Sequence, residues 1–430
     1  MEYHITTFGC QANEADSEKM AGLLENMGYK KALEQTSADL LIFNTCSVRQ
    51  TAEDRVFGLN RKLRELKIQN SRPAKSGARR AKLKIILTGC MTHYPKSQLK
   101  KRLPDIDIFL PIKDLAQLPR LLNKKNIYSI PIQQKYQSSF RAYISISQGC
   151  NNFCSYCIVP YARGREIARP TEEIICQAER LVKAGYKELW LIGQNVNSYK
   201  NFPDLLRKIN KIPGNFWIRF TSPHPKDFSD ELIKAMAESE KFGHYLNLPV
   251  QSGDNEILKK MNRPYTVEKY KEVVGKIRKA LPNIVLSTDI IVGFPGETKK
   301  QFENTKKLFE EIKFDMAYIS QYSPRPGTKA SQMPDNVLKE EKIRREKILT
   351  EILKKTSLEN NQKYVGKTEE ILTEKEKNGW FIGKNKSNKT IKIYSHKSVY
   401  GNGNIGELKK VEIKKALQWG LEGKLCQKKK

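Results

Sequence analysis

The sequence predicts an α/β protein in three parts: an N-terminal open α/β sheet domain, a central open (β/α)6 barrel, and a small C-terminal β-barrel. Three observations carry this expectation. Strand-like apolar runs alternate with helix-like runs through the first 130 residues, the pattern of an open, mostly parallel sheet. Six more strand-and-helix units follow from Arg141, too few for a closed eight-stranded barrel but right for an open one. Past Tyr364 the helical period gives way to short β-like runs joined by Gly and Asn turns, the pattern of a small barrel.

The elements follow in order. EYHITTFGC reads as a strand ending at Cys10, with a helix from Ser17 to Met27; ADLLIFNTC ends at Cys46, with a helix from Ala52 to Leu66; AKLKIILTGC ends at Cys90. Between the second and third units, SRPAKSGARRAK reads as a flexible basic loop. KNIYSIPIQQKYQSS reads as a linker, which sets the expected domains at 1–124, 136–362 and 363–426. The central strands are RAYISIS, ELWLIGQN, NFWIRFTS, YLNLPVQSG, IVLSTDIIVGFPGE and MAYISQYS. Their carboxyl ends, where such barrels do their chemistry, carry Cys150, Gln194-Asn195, Ser222, Gln251-Ser252 and Gly293–Glu297. A charged helix from Leu338 to Leu358 is expected to turn one face inward through Ile343, Ile348 and Ile352. EEILTEK, GWFIGKN, TIKIYSH and LKKVEIKKAL then supply the terminal strands.

Charge narrows the partners. The chain has 430 residues, with 78 Lys and Arg against 47 Asp and Glu, a net +31. That surplus points to a polyanion, nucleic acid before an acidic membrane surface, although a solvated lysine-rich surface produces the same count. Residues 361–430 hold 17 Lys and 7 Glu, a surplus of +10. Small basic β-barrels are a common RNA-binding format; Trp380, Phe381 and Tyr400 read equally as base-stacking residues or as barrel core. No apolar run is long enough for a membrane span, and MEYHITTFGC has neither the basic nor the apolar region of a secretory signal. The expected location is cytoplasmic, with no membrane partner.

The eight cysteines carry the chemistry. Three of them, Cys10, Cys46 and Cys90, stand just past strand carboxyl ends, where open α/β sheets bind ligands. One such cysteine would be ordinary packing; three in equivalent places indicate a metal site. Cys150-Asn-Asn-Phe-Cys154-Ser-Tyr-Cys157 is C-x3-C-x2-C: three thiolates on one loop can hold three irons of a 4Fe-4S cube and leave the fourth without a protein ligand. Zinc would call for a fourth Cys or His nearby, and Cys176 falls inside a helical run. Cys176 and Cys426 are read as packing and tail residues.

The motif after a strand at the start of a β/α barrel resembles the radical S-adenosylmethionine (radical SAM) superfamily. The likeness extends along nearly the whole chain. Three N-terminal cysteines, this core and a basic barrel tail similar to the TRAM RNA-binding domain resemble the methylthiotransferases. TFGCQANEADSEKM, NTCSVRQTAEDRVF and QGCNNFCSYCIVPYARGRE are similar to the tRNA-modifying, MiaB-type branch, and LIGQNVNSY, FTSPHP, LPVQSG, MNRPYT, DIIVGFPGET and YSPRPGT follow in the expected order. The resemblance implies two 4Fe-4S clusters and S-adenosylmethionine. Cys150, Cys154 and Cys157 would hold the SAM-cleaving cluster and serve catalysis. Cys10, Cys46 and Cys90 would hold a second cluster that carries or donates sulfur. Gly193, Gln194, Asn195, Ser222, Gly293 and Glu297 fall where the superfamily contacts SAM. The implied substrate is N6-isopentenyladenosine beside the anticodon, in the anticodon stem-loop of tRNA, methylthiolated at C2 by a monomer drawing electrons from a flavodoxin-type reductant.

Ala12, Gln50 and Ala168 depart from the residues usual in that branch (Met, Glu and Ser), and QSGDNEIL replaces a QSGSD-type run. No cysteine is touched. The alternatives are methylthiolation of threonylcarbamoyladenosine in tRNA or of a ribosomal protein, and a noncatalytic zinc and RNA-binding protein. Gly401–Gly406 fits G-x-G-x-x-G, but a strand-like run follows it and it reads as a barrel turn. His224 and His244 read as structural or substrate-contacting residues, Asn388–Thr390 as a sequon without consequence, and no nucleoside-triphosphate loop motif occurs.

Overall fold

The computed structural model describes residues 1–48, 50–71, 82–123, 134–394 and 405–426. The basic loop at 72–81, most of the expected linker, Tyr400, His396 and most of the G-x-G-x-x-G run lie outside the described residues. The chain forms two compact units: Met1–Gln137 with Ser147–Ala168 and Ser323–Gln332, and Ser138–Ile146 with Arg169–Tyr322 and Met333–Lys430.

The first unit is built on a five-stranded sheet in the order Lys30–Lys31, Glu2–Phe8, Leu40–Thr45, Lys84–Gly89, Ile108–Pro111. Every pairing is parallel. Leu40–Thr45 is buried on both faces, as central parallel strands are. Its alternate residues enter separate cores: Leu41 and Phe43 pack with Val56, Leu63, Ile85 and Leu87, while Leu40 and Ile42 pack with Met20, Leu23, Leu24 and Ile86. Neighbours on both sides of the first strand make the gap between Glu2–Phe8 and Leu40–Thr45 the point where strand order reverses. Open sheets bind their ligands there, outside the carboxyl ends.

Three expectations change in this unit. The first helix runs Gln11–Asn26, six residues ahead of Ser17, because Cys10 caps it and Asn13 returns to the cap. The helix expected at 52–66 is two, Gln50–Phe57 and Asn60–Ser71, separated at Gly58-Leu59, where glycine is a poor interior residue. Lys30–Lys31 and Ile108–Pro111 are additional edge strands, too short to show a period.

In the second unit six parallel strands form two groups of three, Arg141–Ser145, Glu188–Ile192, Trp217–Phe220 and Tyr245–Asn247, Val285–Val292, Met316–Gln321. A parallel bridge from Ile218 to Phe242 lies between the groups. This is the expected open (β/α)6 arrangement. Lys339–Gln362 is a single long helix, but its buried residues are Lys342, Arg345, Leu349, Leu353, Thr356, Ser357 and Asn361, and Ile343, Ile348 and Ile352 are only half-buried. Charge placement misled the periodic reading: Lys342 is paired with Asp335, and Arg345 with Glu297 and Glu341, so two cations occupy the inner face.

The terminal barrel closes through Thr368–Lys377, Trp380–Asn385, Thr390–Tyr394, Gly420–Leu425 and Leu408–Leu417. Its fifth strand, GLEGKL, went unrecognised because glycine and charge replace β-branched residues. Ile371, Phe381, Ile391, Ile393, Val411, Ile413 and Leu421 form its core. Phe381 is therefore packing, and Trp380 is half-buried.

Candidate functional site

Parallel register sets the first cysteine group. Phe8 lies opposite Thr45, and Thr45 opposite Gly89, so the strands leading to Cys10, Cys46 and Cys90 end level at the switch point. Glycine lets the chain turn there. A Cβ on Gly9 would run into Asn13, and one on Gly89, at φ +91°, would stand 2.5 Å from Asn44 Oδ1. The Asn13 amide donates to Asn44 Oδ1 at 2.9 Å; the Asn44 amide donates to Asn13 O at 2.8 Å and to Ser17 Oγ at 3.0 Å. This buried network locks the helix start against the central strand.

The thiols interact. The neighbouring Cys46 thiol, helped by the Arg163 charge and backbone donors and opposed by burial, lowers Cys10 to about 6. The Cys10 side chain, burial and the charges of Cys10 and Cys90 push Cys46 up. Burial pushes Cys90 up as well, opposed by Arg163. Arg163 Nε–H donates to Cys90 Sγ at 3.3 Å, and its Nη2 stands 2.8 Å from Asp16 Oδ2. The Asp16 contact is close but poorly aligned for a hydrogen bond; it acts as a charge pair, with both side chains almost fully buried.

Arg163 belongs to the segment that carries the second cysteine group. Cys150, Cys154 and Cys157 sit in a loop closed by the Cys150 N–H donating to Gly164 O at 3.1 Å and the Cys157 N–H to Cys154 O at 2.9 Å. Gly149 precedes Cys150 at φ +83°, and a Cβ there would overlap the Arg165 carbonyl. Cys150 and Cys154 are buried and Cys157 half-buried. Cys157 is pushed up by burial first, then by Cys154, Cys150 and Cys90, so the two cysteine groups are within electrostatic reach inside one compact unit.

Arg325 secures the Cys46 loop. It donates to Val48 O at 3.1 Å and to Gln50 Oε1 at 2.5 Å, and pairs with buried Glu53 at 3.5 Å. Glu53 also accepts from Ser47 and from Tyr94 Oη. The departure at Gln50 thus keeps a structural contact. Asp254, in the other unusual run, caps Asn255–Lys260 by accepting from Glu256 N and Ile257 N at 3.1 Å.

The donor set fits iron–sulfur clusters: two triplets of free thiols, a guanidinium beside Cys90 that favours thiolate, and buried Thr45 Oγ1, Thr88 Oγ1 and His93 Nε2 without hydrogen-bond partners among the described residues. Among those residues no three His, Cys, Asp or Glu side chains are grouped to hold a single metal ion. Cys176 is exposed rather than packed; Cys426, read as a tail residue, is exposed as well.

The strand-end residues of the second unit sort into two kinds. Asn195 is buried; its amide donates to Asp227 at 2.7 Å, and its Oδ1 has no hydrogen-bond partner among the described residues. Ser222, at φ +61°, accepts from the Val196 N–H at 3.2 Å, which brings the second and third strand ends together. Gly193 and Gln194 directly precede Asn195 after the second strand. Glu297 differs: its carboxylate already accepts from Gly293 N–H at 2.6 Å and from Arg345 at 2.7 Å, so it holds the Gly293 loop. His224 is buried, with Nδ1 accepting from Lys226 N–H, and burial and the Arg263 charge keep it neutral.

Sequence reasoning missed Arg163, Asp16, Asn13, Asn44 and Arg325. A signal existed for the glycines: Gly immediately precedes Cys10, Cys90 and Cys150.

Known proteins match this arrangement. The family model described as Radical SAM superfamily matches residues 144–309, and Uncharacterized protein family UPF0004 matches 2–111. The tRNA-2-methylthio-N(6)-dimethylallyladenosine synthase of Clostridium botulinum (strain Hall) is 42% identical, the alignment covering 98% of this chain and 96% of the relative. The chain belongs to the radical SAM tRNA methylthiotransferase family. The synthase of that name from Thermoanaerobacter sp. (strain X514) is 43% identical over 99% of this chain and 93% of its own. The solved radical S-adenosylmethionine methyltransferase TsrM from Kitasatospora setae, 15% identical, is similar in fold, the match covering 77% of each chain at a TM-score of 0.54. The family works with S-adenosylmethionine and 4Fe-4S clusters, two of them in its methylthiotransferases. Among the described residues no helix is long and apolar enough to cross a membrane.

Proposed function

We propose that this chain methylthiolates C2 of N6-isopentenyladenosine beside the anticodon of tRNA. The observation that carries the reading is the gathering of Cys10, Cys46 and Cys90 at a sheet switch point, in one compact unit with Cys150–Cys157. End-to-end likeness to named synthases supports it.

In this reading Cys150, Cys154 and Cys157 hold one 4Fe-4S cluster and Cys10, Cys46 and Cys90 the other. When bound, the first supplies the electron that cleaves S-adenosylmethionine to a carbon radical. The chain's own residues do the rest. Burial of Cys46, Cys90, Cys150 and Cys154 keeps water from those thiols, and Arg163 sets a fixed positive charge beside Cys90. Gly193, Gln194, Asn195, Ser222 and Gly293 contact S-adenosylmethionine, with the unpartnered Asn195 Oδ1 as an acceptor, while Glu297 acts through the Gly293 loop. The working parts are 1–124, 136–362 and a TRAM-like RNA-binding part at 363–426. The enzyme acts as a cytoplasmic monomer and takes electrons from a flavodoxin-type donor.

The test is the nucleoside profile of tRNA with and without the gene. Loss of the methylthio group from isopentenyladenosine on deletion is expected; its persistence refutes the reading. Cys154→Ala should abolish S-adenosylmethionine cleavage, whereas Cys46→Ala should retain uncoupled cleavage and lose sulfur insertion.

A further inference from the structure

The terminal barrel carries a cavity of about 370 Å³ lined by Thr390, Lys392, Leu417, Gln418, Trp419, Gly420 and Leu421. Its most prominent side chain is Trp419, 45% exposed at the tip of the hairpin joining Leu408–Leu417 to Gly420–Leu425. A hairpin tip ordinarily takes small polar turn residues, and Trp419 stands nearly half exposed there, outside the barrel core.

The turn is held rigidly. Leu417 lies opposite Gly420 in the hairpin register, so Gln418 and Trp419 alone form the connection. Ser357 Oγ–H donates to Gln418 O at 2.6 Å, and the Asn361 amide donates to Leu417 O at 2.7 Å. On the other side a Cβ at Gly420 would stand 2.7 Å from Thr390 O, so only glycine lets the turn close onto that strand. The backbone is fixed from two directions while the indole projects beside the cavity. A fixed aromatic loses little freedom on binding.

We propose that this cavity takes one unstacked nucleobase of the bound RNA, stacked on the Trp419 indole, with Lys392 at the neighbouring phosphate. The inference rests on the tRNA reading above. Charge selects the occupant. Lys392 is exposed on the cavity wall, and residues 361–430 have a surplus of +10, which suits a phosphate backbone rather than an acid-poor peptide. The apolar floor of Leu417 and Leu421 suits a base face, and Thr390 and Gln418 offer donors and acceptors to a base edge. Stacking of this kind is tolerant of base identity; the site grips the RNA and leaves selection of the modified nucleotide to the cluster-bearing region. Trp380 and Phe381, the aromatics of this barrel's second strand, are half-buried and buried.

The test measures dissociation constants of the full-length, anaerobically reconstituted protein for tRNA at fixed salt. Polyphosphate serves as a base-free polyanion. Trp419→Ala should weaken tRNA binding roughly 5- to 100-fold and leave polyphosphate binding unchanged, and Trp419→Phe should restore most of the loss. Lys392→Gln should weaken both and lower the salt slope by about one. If wild type binds tRNA and Trp419→Ala binds it equally well, the base site is refuted while the tRNA reading stands. Equal loss of tRNA and polyphosphate binding in Trp419→Ala, or no recovery in Trp419→Phe, also overturns stacking. Failure of wild type to bind tRNA removes the parent reading and this inference together.

Discussion

Replacing Arg163 by methionine tests the device that ties the two cysteine groups together. Arg163 is almost fully buried, 2.8 Å from Asp16 and 3.3 Å from Cys90 Sγ. Asp16 and the charges of Cys90 and Cys10 hold its pKa above the ordinary value despite the opposing effect of burial, the largest single influence. Removing the cation strands Asp16 in the interior. A broken buried pair costs about 3–5 kcal/mol, whereas replacing both partners by apolar groups is often close to neutral. Arg163→Met alone should therefore lower stability by roughly 3–5 kcal/mol, and Asp16→Leu combined with Arg163→Met should recover much of the loss. The assay is denaturant unfolding of the four proteins of the cycle, reconstituted anaerobically, with iron counted in parallel. Additivity within about 0.5 kcal/mol would mean the two side chains are not coupled and would refute the charge-pair account. Arg163→Met should also raise the pH at which Cys10 reacts with iodoacetamide in the cluster-free protein, because Arg163 helps to lower that thiol.

Gly149→Ala combines a positive φ with overlap on the Arg165 carbonyl, so bound iron should fall from about eight to about four atoms per chain. Gly28→Ala, with the same φ and no neighbour within 4 Å, should keep its iron; equal iron loss in both would show that strain rather than crowding decides. Glu18 is raised from 4.5 to about 7, by burial first, with the Gln137 and Gln134 donors opposing and Glu14 adding. Because the folded state holds this proton more tightly, the stabilisation is complete below about pH 4.5 and is lost as pH rises to about 7, roughly 3 kcal/mol in all. Glu18→Gln should flatten that part of the stability curve, and an unchanged slope would refute the assignment. Glu188 is fully buried between Arg219 and Arg141, whose charges together outweigh burial and hold it at about 2. Glu188→Ala should cost about 3–5 kcal/mol in thermal or denaturant unfolding; a loss below about 1 kcal/mol would remove the network from the fold's main supports.

Much of the site was legible because its signals are local. The C-x3-C-x2-C loop is eight consecutive residues, and each N-terminal cysteine follows its own apolar strand. Other features failed for identifiable reasons. Ile343, Ile348 and Ile352 suggested the wrong helix face because a buried lysine and arginine are neutralised by acids elsewhere in the chain. GLEGKL became a strand only through its partners on either side in a closed barrel. The partner of Glu297 was not legible either, because Arg345 stands 48 positions away.

By itself, then, the sequence determined the alternation of strands and helices, the position of six cysteines past strand ends, and the glycines that let the backbone turn before three of them. These depend on side-chain period and on φ preferences, which neighbouring residues decide. The tertiary structure alone decided the strand order that puts Cys10 and Cys46 on either side of a switch point. It alone set Arg163, 73 positions from Cys90, against that thiol, and left Trp419 rather than Phe381 facing water. Those outcomes depend on which distant surfaces bury one another and which buried charges find partners, and such free energies exist only once the whole chain has packed.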